Sequence, residues 1–167
     1  MNKDVLKCLV HVSEPEPEPF KPKGKVLYKT DLSQEDWLEE DAYLSGDSVL
    51  YGFEHKKQAA VAMLPDFAAD GTPVKALGGH SLQDCKSLVS VDLPSALVSI
   101  GEYAMHDCDS LRHITVPDSV LSIESRAFSY CDALSSVDLP SSLQLLGDNC
   151  FRNDLELLSV RVPGCEV

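Results

Sequence analysis

The sequence predicts a solenoid, a coil of stacked turns that carries short parallel strands around one aliphatic core. The main observation is a 23-residue period held from Val74 to Cys165. Cys85, Cys108, Cys131 and Asp154 keep this step, as do Leu88, Leu111, Leu134 and Leu157. So do Val91, Ile114, Val137 and Val160; Leu93, Val116, Leu139 and Val162; Pro94, Pro117, Pro140 and Pro163; and Leu77, Ile100, Ile123 and Leu146. A fixed period of this size marks units that cannot bury their apolar side alone and must stack on one another. The second observation is an apolar–polar alternation inside each copy, which is the period of a strand.

One copy shows how the chain would use that period. In Leu88-Val89-Ser90-Val91-Asp92-Leu93-Pro94, alternation directs Val91 and Leu93 to one side and Ser90 and Asp92 to the other. Pro94 has no N–H for a ladder and ends the strand. The chain then passes Leu97 and Ile100, makes a short helical or 3-10 turn at Tyr103-Ala104-Met105, and returns to the core at Cys108. Ser81-Leu82, Ala127-Phe128 and Cys150-Phe151 are equivalent small-then-large pairs: the small residue permits close approach and the large one fills the space beneath.

Upstream of the repeats the pattern changes. Residues 1–25 hold a short apolar patch, Val5 to Val10, and then Glu14-Pro15-Glu16-Pro17-Glu18-Pro19, an extended spacer whose prolines lack donors and whose glutamates repel. Residues 26–73 read as an N-terminal cap leading into a degenerate first rung. Val26–Lys29 forms a strand in this reading, and Ser33 N-caps a short helix with an apolar stripe of Trp37, Leu38, Ala42 and Leu44, ended by Gly46. Ser48–Phe53 and Ala59–Leu64 are strands about the polar turn 54–58. The step from Pro65 to Pro94 is longer than the step from Pro94 to Pro117, which places a short insertion around Asp70-Gly71-Thr72-Pro73. Residues 74–167 are four 23-residue repeats.

Composition narrows the function classes. The formal net charge is −13, with 27 acids against 14 bases. The acids are spread over both halves, so no basic face is available for nucleic acid or anionic lipid. No apolar run approaches the roughly 20 residues of a membrane span, and Met1 to Val12 is interrupted by Lys3, Asp4, Lys7 and His11, unlike a secretory leader. The native compartment stays open.

Cys85, Cys108 and Cys131 are expected as an inward column of free thiols, since cysteine packs as a small hydrophobe. A linear column among Leu, Ile and Val does not offer the four converging ligands of structural zinc, so neither metal nor cofactor is expected. His80 and His106 fall in variable, exposed columns. His113 lies on the outward strand face, where the columns are Ser90, His113, Ser136, Ser159 and Asp92, Thr115, Asp138, Arg161. Serine, histidine and aspartate meet there. A hydrolase is not expected, because a parallel stack offers no strained nucleophile turn, no oxyanion donors and no third group to seat the imidazole. This face also carries no aromatic residue and no arginine besides Arg161.

The unit Leu-x-x-Val-x-Leu-Pro-x-x-x-x-x-Ile-Gly-x-x-Ala-Met-x-x-Cys, from Leu88 to Cys108, resembles the BspA-like class of bacterial leucine-rich repeats. Three departures stand out. Glu124 replaces the glycine of Gly78, Gly101 and Gly147, so that slot need not have a positive φ; Asp154 replaces the cysteine, which suits a last rung near solvent; residues 1–48 match nothing in the class. The resemblance implies a right-handed leucine-rich repeat solenoid with its strands on a concave face and helical or 3-10 turns on a convex one. It also implies a non-enzymatic module that binds a protein or glycan, in adhesion or host contact at a bacterial surface, through Ser90, Asp92, His113, Thr115, Ser136, Asp138, Ser159 and Arg161. The alternative is a structural spacer or assembly subunit that acts through its N-terminal arm and ends, with self-association at the C-terminal edge strand, whose unpaired N–H and C=O groups invite another strand.

Overall fold

A computed structural model describes residues 21–163. Twelve strands run in chain order: β1 Lys25–Lys29, β2 Leu38–Leu44, β3 Val49–Phe53, β4 Val61–Met63, β5 Ala76–Leu77, β6 Ser90–Asp92, β7 Ser99–Ile100, β8 His113–Thr115, β9 Ser122–Ile123, β10 Ser136–Asp138, β11 Leu145–Leu146 and β12 Ser159–Arg161. Each copy of the repeat contributes one longer and one shorter strand, and the coil has two parallel stacks as a result. The short-strand stack is β3, β5, β7, β9, β11; the long-strand stack is β4, β6, β8, β10, β12.

Register follows the sequence period. Val137 faces Ile114 on one side and Val160 on the other, and Ile100 faces Leu77 and Ile123. Between the stacks lies one continuous core: Leu77, Ile100, Ile123, Leu88, Leu111, Leu134 and the three column cysteines are at most 1 % exposed. The thiols donate to main-chain carbonyls one turn back, Cys108 to Leu82 O at 3.3 Å and Cys131 to Met105 O at 3.1 Å. Hydrogen bonds to the thiols of Cys131 and Cys85, together with burial, push the Cys108 thiol well above its ordinary range. Ser81-Leu82 and Ala127-Phe128 are buried as expected; in the last pair Cys150 is buried but Phe151 only half-buried, with Phe128 stacked on it at 5.6 Å between centroids.

The N-terminal segment differs from its expected form. Residues 38–44 are a strand, not a helix: β2 pairs antiparallel with β1 and β3, and β1 pairs antiparallel with β4. These two strands link the short-strand and long-strand stacks into one nine-stranded sheet. Ser33 does not cap a helix, because its hydroxyl and N–H both donate to Asp31 Oδ1 (2.9 and 2.8 Å), the local turn that competes with helix initiation. In Leu38–Leu44 the half-buried residues are Glu40, Ala42 and Leu44, a period of two that sheet pairing exploits. Residues 67–73 form a small hairpin, with Phe67 bridging Pro73 and Asp70 Oδ1 accepting from Thr72 N at 2.9 Å.

The expected helical turns at Tyr103-Ala104-Met105 and its equivalents are also absent; no helix occurs among the described residues, and so none long and apolar enough to cross a membrane. Each copy instead turns twice through left-handed residues. His80, Tyr103, Arg126 and Asn149 have φ of 57–61°, and Asp84, Asp107, Tyr130 and Asn153 have φ of 59–61°. The first column stacks as it turns: the rings of His80 and Tyr103 lie 5.1 Å apart and the Arg126 guanidinium sits over Tyr103. The glycine column behaves differently. Gly78, Gly101 and Gly147 lack positive φ, in keeping with Glu124 in the same column, and what restricts them is space. A Cβ on Gly101 would fall 2.6 Å from Gly79 N and 2.8 Å from Leu77 O, both main-chain atoms of the preceding turn.

Asp154, expected near solvent, turns its carboxylate inward. Oδ1 accepts from Cys131 N at 2.8 Å, and Oδ2 is buried without a partner among the described residues. Burial raises its pKa to about 7 against the opposing Cys131 N–H bond, with the Asp132 charge adding to the rise. The arm of residues 1–20, including the Val5–Val10 patch, lies outside the described residues.

A candidate binding face on the long-strand stack

All eight predicted face residues lie on β6, β8, β10 and β12 and alternate with the core side chains of those strands. Pairing in register puts Ser136 between His113 and Ser159, and Asp138 between Thr115 and Arg161. The structure joins five of the eight into one network. His113 Nδ1 meets Ser136 Oγ at 2.6 Å, while Nε2 meets Thr115 Oγ1 at 3.0 Å and Asp138 Oδ2 at 3.3 Å. Arg161 Nε lies 3.7 Å from Asp138 Oδ1. Ser90 and Asp92, on β6, stand apart from it. Asp92 instead pairs with Lys21 at 2.5 Å, and Lys21 also reaches Asp66 at 3.4 Å.

One expectation is overturned here: the imidazole does have groups to seat it, Thr115 and Asp138, so serine, histidine and aspartate form a connected set. That set still lacks what acyl transfer needs. Ser136 opens β10, paired with β8 on one side and β12 on the other, on a regular ladder and not on the strained turn that exposes a nucleophile beside oxyanion donors. The arrangement can recognise polar groups by donating and accepting hydrogen bonds. No group of three or more His, Cys, Asp or Glu side chains converges on a metal position among the described residues.

The sequence reading missed the other half of this face. The face has a seam: main-chain bonding between the second and third long strands stops after Arg112 N donates to Val89 O at 3.3 Å, leaving a β4–β6 pair beside a β8–β10–β12 triple. An open trough of about 590 Å3 lies over this seam, lined by Trp37, Val61, Met63, Val91, Asp92, Arg112, His113 and Thr115 among others. Val91 is half-buried there, although its column mates Ala62, Ile114 and Val137 are at most 1 % exposed. Trp37, on the connection into β2, supplies the aromatic residue this face was expected to lack, and Lys29 Nζ lies 4.7 Å from its ring centroid. Arg112 is a second arginine at the face's border. The available signal was a lone tryptophan beside acids, Glu35-Asp36-Trp37, which the helical reading assigns to a local stripe.

Two parallel stacks around an aliphatic core, rebuilt identically by each copy of the repeat, define a β-solenoid of leucine-rich repeat type. Residues 69–166 match the family described as BspA type Leucine rich repeat region (6 copies), and the chain belongs to that family. Among solved structures it is similar to a T. pallidum leucine rich repeat protein, at 28 % identity and a TM-score of 0.60 over 74 % of this chain and 68 % of that one. It is also similar to a leucine-rich repeat protein from Bacteroides capillosus, at 26 % identity and a TM-score of 0.63 over 74 % of this chain and 93 % of that one. No protein of curated function matches it.

Proposed function

We propose that this chain is a non-enzymatic binding module that engages a protein or glycan partner through the long-strand face. Membership of a repeat-scaffold family supports the reading. The observation that carries it is the His113–Ser136–Thr115–Asp138 network, fixed on a main-chain ladder and set beside an open trough. A polar constellation held on paired strands binds with little loss of side-chain freedom, which is how a rigid scaffold favours association. By resemblance, the setting is adhesion or host contact. The test is capture of partner proteins and of arrayed glycans by the native chain and by a Thr115→Arg, Asp138→Lys double variant. Both substitutions sit on the solvent side of their strands, so thermal stability should hold while capture falls at least tenfold. Undiminished capture by the double variant would remove this face from the function.

A second reading has its own observation. Leu145, Leu146 and Val160 are 43–47 % exposed, and Leu155 and Leu158 are 78 % and 87 % exposed, all on the last described rung, where β11 and β12 each have one free edge among the described residues. An apolar rung with unpaired main-chain groups suits an assembly subunit. Concentration-dependent light scattering that is suppressed by Leu158→Asp, with capture unaffected by the face variant, would favour it.

A further inference from the structure

The trough over the β6–β8 seam carries a chemistry that the polar columns do not. Its lining is mainly apolar, with Trp37, Met63 and Val91 in it, although Ser90, Asp92 and His113 line it too. The charges near it are arranged unlike those of the chain as a whole. Asp92 and Asp66 share Lys21, which offsets one of their two charges, and Lys29 lies against the indole. Arg112 is exposed and has no ion-pair partner among the described residues, in a chain with 27 acids and 14 bases. An open, mainly apolar lining beside one unengaged guanidinium is complementary to an apolar group that carries a carboxylate.

We infer that this trough binds a protein segment in which a bulky apolar side chain adjoins an acidic residue, the apolar group resting on Trp37, Met63 and Val91 and the carboxylate meeting Arg112. The inference rests on the binding-module reading and gives it a site and a ligand class. It favours a peptide over a glycan, because most of the lining is apolar, whereas a sugar needs hydrogen-bond partners distributed around its ring.

Trp37 is the only tryptophan in the chain, so its emission reports on the trough directly. The probes are the capped peptides acetyl-Gly-Phe-Glu-Gly-amide and acetyl-Gly-Phe-Gln-Gly-amide, with chitotriose as the glycan arm, titrated into the full chain. The expected result is a saturable change in Trp37 emission with both peptides, roughly three- to fivefold tighter for the acidic one and with that preference reduced by salt, as for an exposed Arg–carboxylate pair. Arg112→Gln, an exposed substitution with little consequence for folding, should equalise the two peptides, and Met63→Gln should weaken both. Equal binding of the two peptides by the native chain, or a response to chitotriose alone, would overturn the inference. If the peptides leave Trp37 silent while the Thr115→Arg, Asp138→Lys variant still loses its partner, the trough inference fails and the wider reading stands. If the peptides bind and that double variant captures normally, the wider reading fails and the trough stands.

Discussion

Ile123 and Leu146 occupy the same place in successive copies of the repeat, as do Val137 and Val160, yet their surroundings differ completely. Ile123 and Val137 are fully buried, whereas Leu146 is 45 % exposed and Val160 43 % exposed. The cause is the neighbour. Ile123 lies between Ile100 and Leu146, and Val137 between Ile114 and Val160, while Leu146 and Val160 each have one partner among the described residues. In this coil, burial is conferred by the following turn more than by the residue's own copy, which is the nearest-neighbour stability expected of a solenoid. The substitution of Asp154 for the column cysteine fits the same contrast: a carboxylate stands where only one turn packs against it.

The largest expected effect tests that contrast through thiol access. Native Cys85, Cys108 and Cys131, each 0 % exposed, should react with a bulky maleimide only through opening of the coil, about a hundredfold or more slower than an exposed thiol. A cysteine placed by Asp154→Cys should react at least tenfold faster than Cys131, as mapped by mass spectrometry. Prompt labelling of all three column thiols would break the comparison. Next in size, Ile123→Ala should cost about 2–5 kcal/mol by chemical denaturation, whereas Leu146→Ala should cost below about 1 kcal/mol. Equal costs would show that the last described rung is as well covered as the middle ones. Gly101→Ala should destabilise by about 1–3 kcal/mol, because the added methyl meets main-chain atoms of the preceding turn that no rotamer change can clear. A neutral result would mean that adjacent turns separate freely.

A further effect concerns pH. The Asp154 carboxyl is raised to about 7, so the folded chain holds this proton more tightly than the unfolded chain does. Its protonated form therefore contributes stability that is complete below the ordinary carboxylate range and lost as pH rises through about 7. Asp154→Asn keeps an oxygen for Cys131 N–H and removes the ionisation. Its melting temperature should match the native protein's below the ordinary carboxylate range and exceed it by a growing margin as pH rises to about 7, above which the margin levels off. A variant that tracks the native curve across this range would place the carboxylate in solvent.

What could be read in advance was whatever repeats. Because the columns recur at a constant step, the inward side chains, the strands ended by proline and the outward face were all legible. Turn geometry was not: Tyr103-Ala104-Met105 has reasonable local helix character, and left-handed φ at tyrosine or arginine leaves no compositional trace as it would at glycine. Nor was the strand Leu38–Leu44, which carries both a helical and an alternating pattern and was decided by the sheet edges on either side. That one decision hid part of the candidate site. Read as helix stripe, Trp37 belonged to a local core; paired as strand, β2 brings it over β6 and β8. Arg112 and Val91 were visible as residues, but the seam that exposes them depends on where a ladder fails to close, which no column records.

The lockstep of the two stacks also governs how such a chain can change length. Deleting Glu124 to Leu146, one full period, would return each remaining position to a counterpart of its own kind, shortening the coil by a single turn while leaving every residue that lines the trough in place. A deletion longer or shorter by a single position would throw both stacks out of step at once, sending serines inward and valines out. Insertions and losses can therefore be absorbed in whole turns, or in excursions such as the hairpin at 67–73 that leave and rejoin the coil in phase.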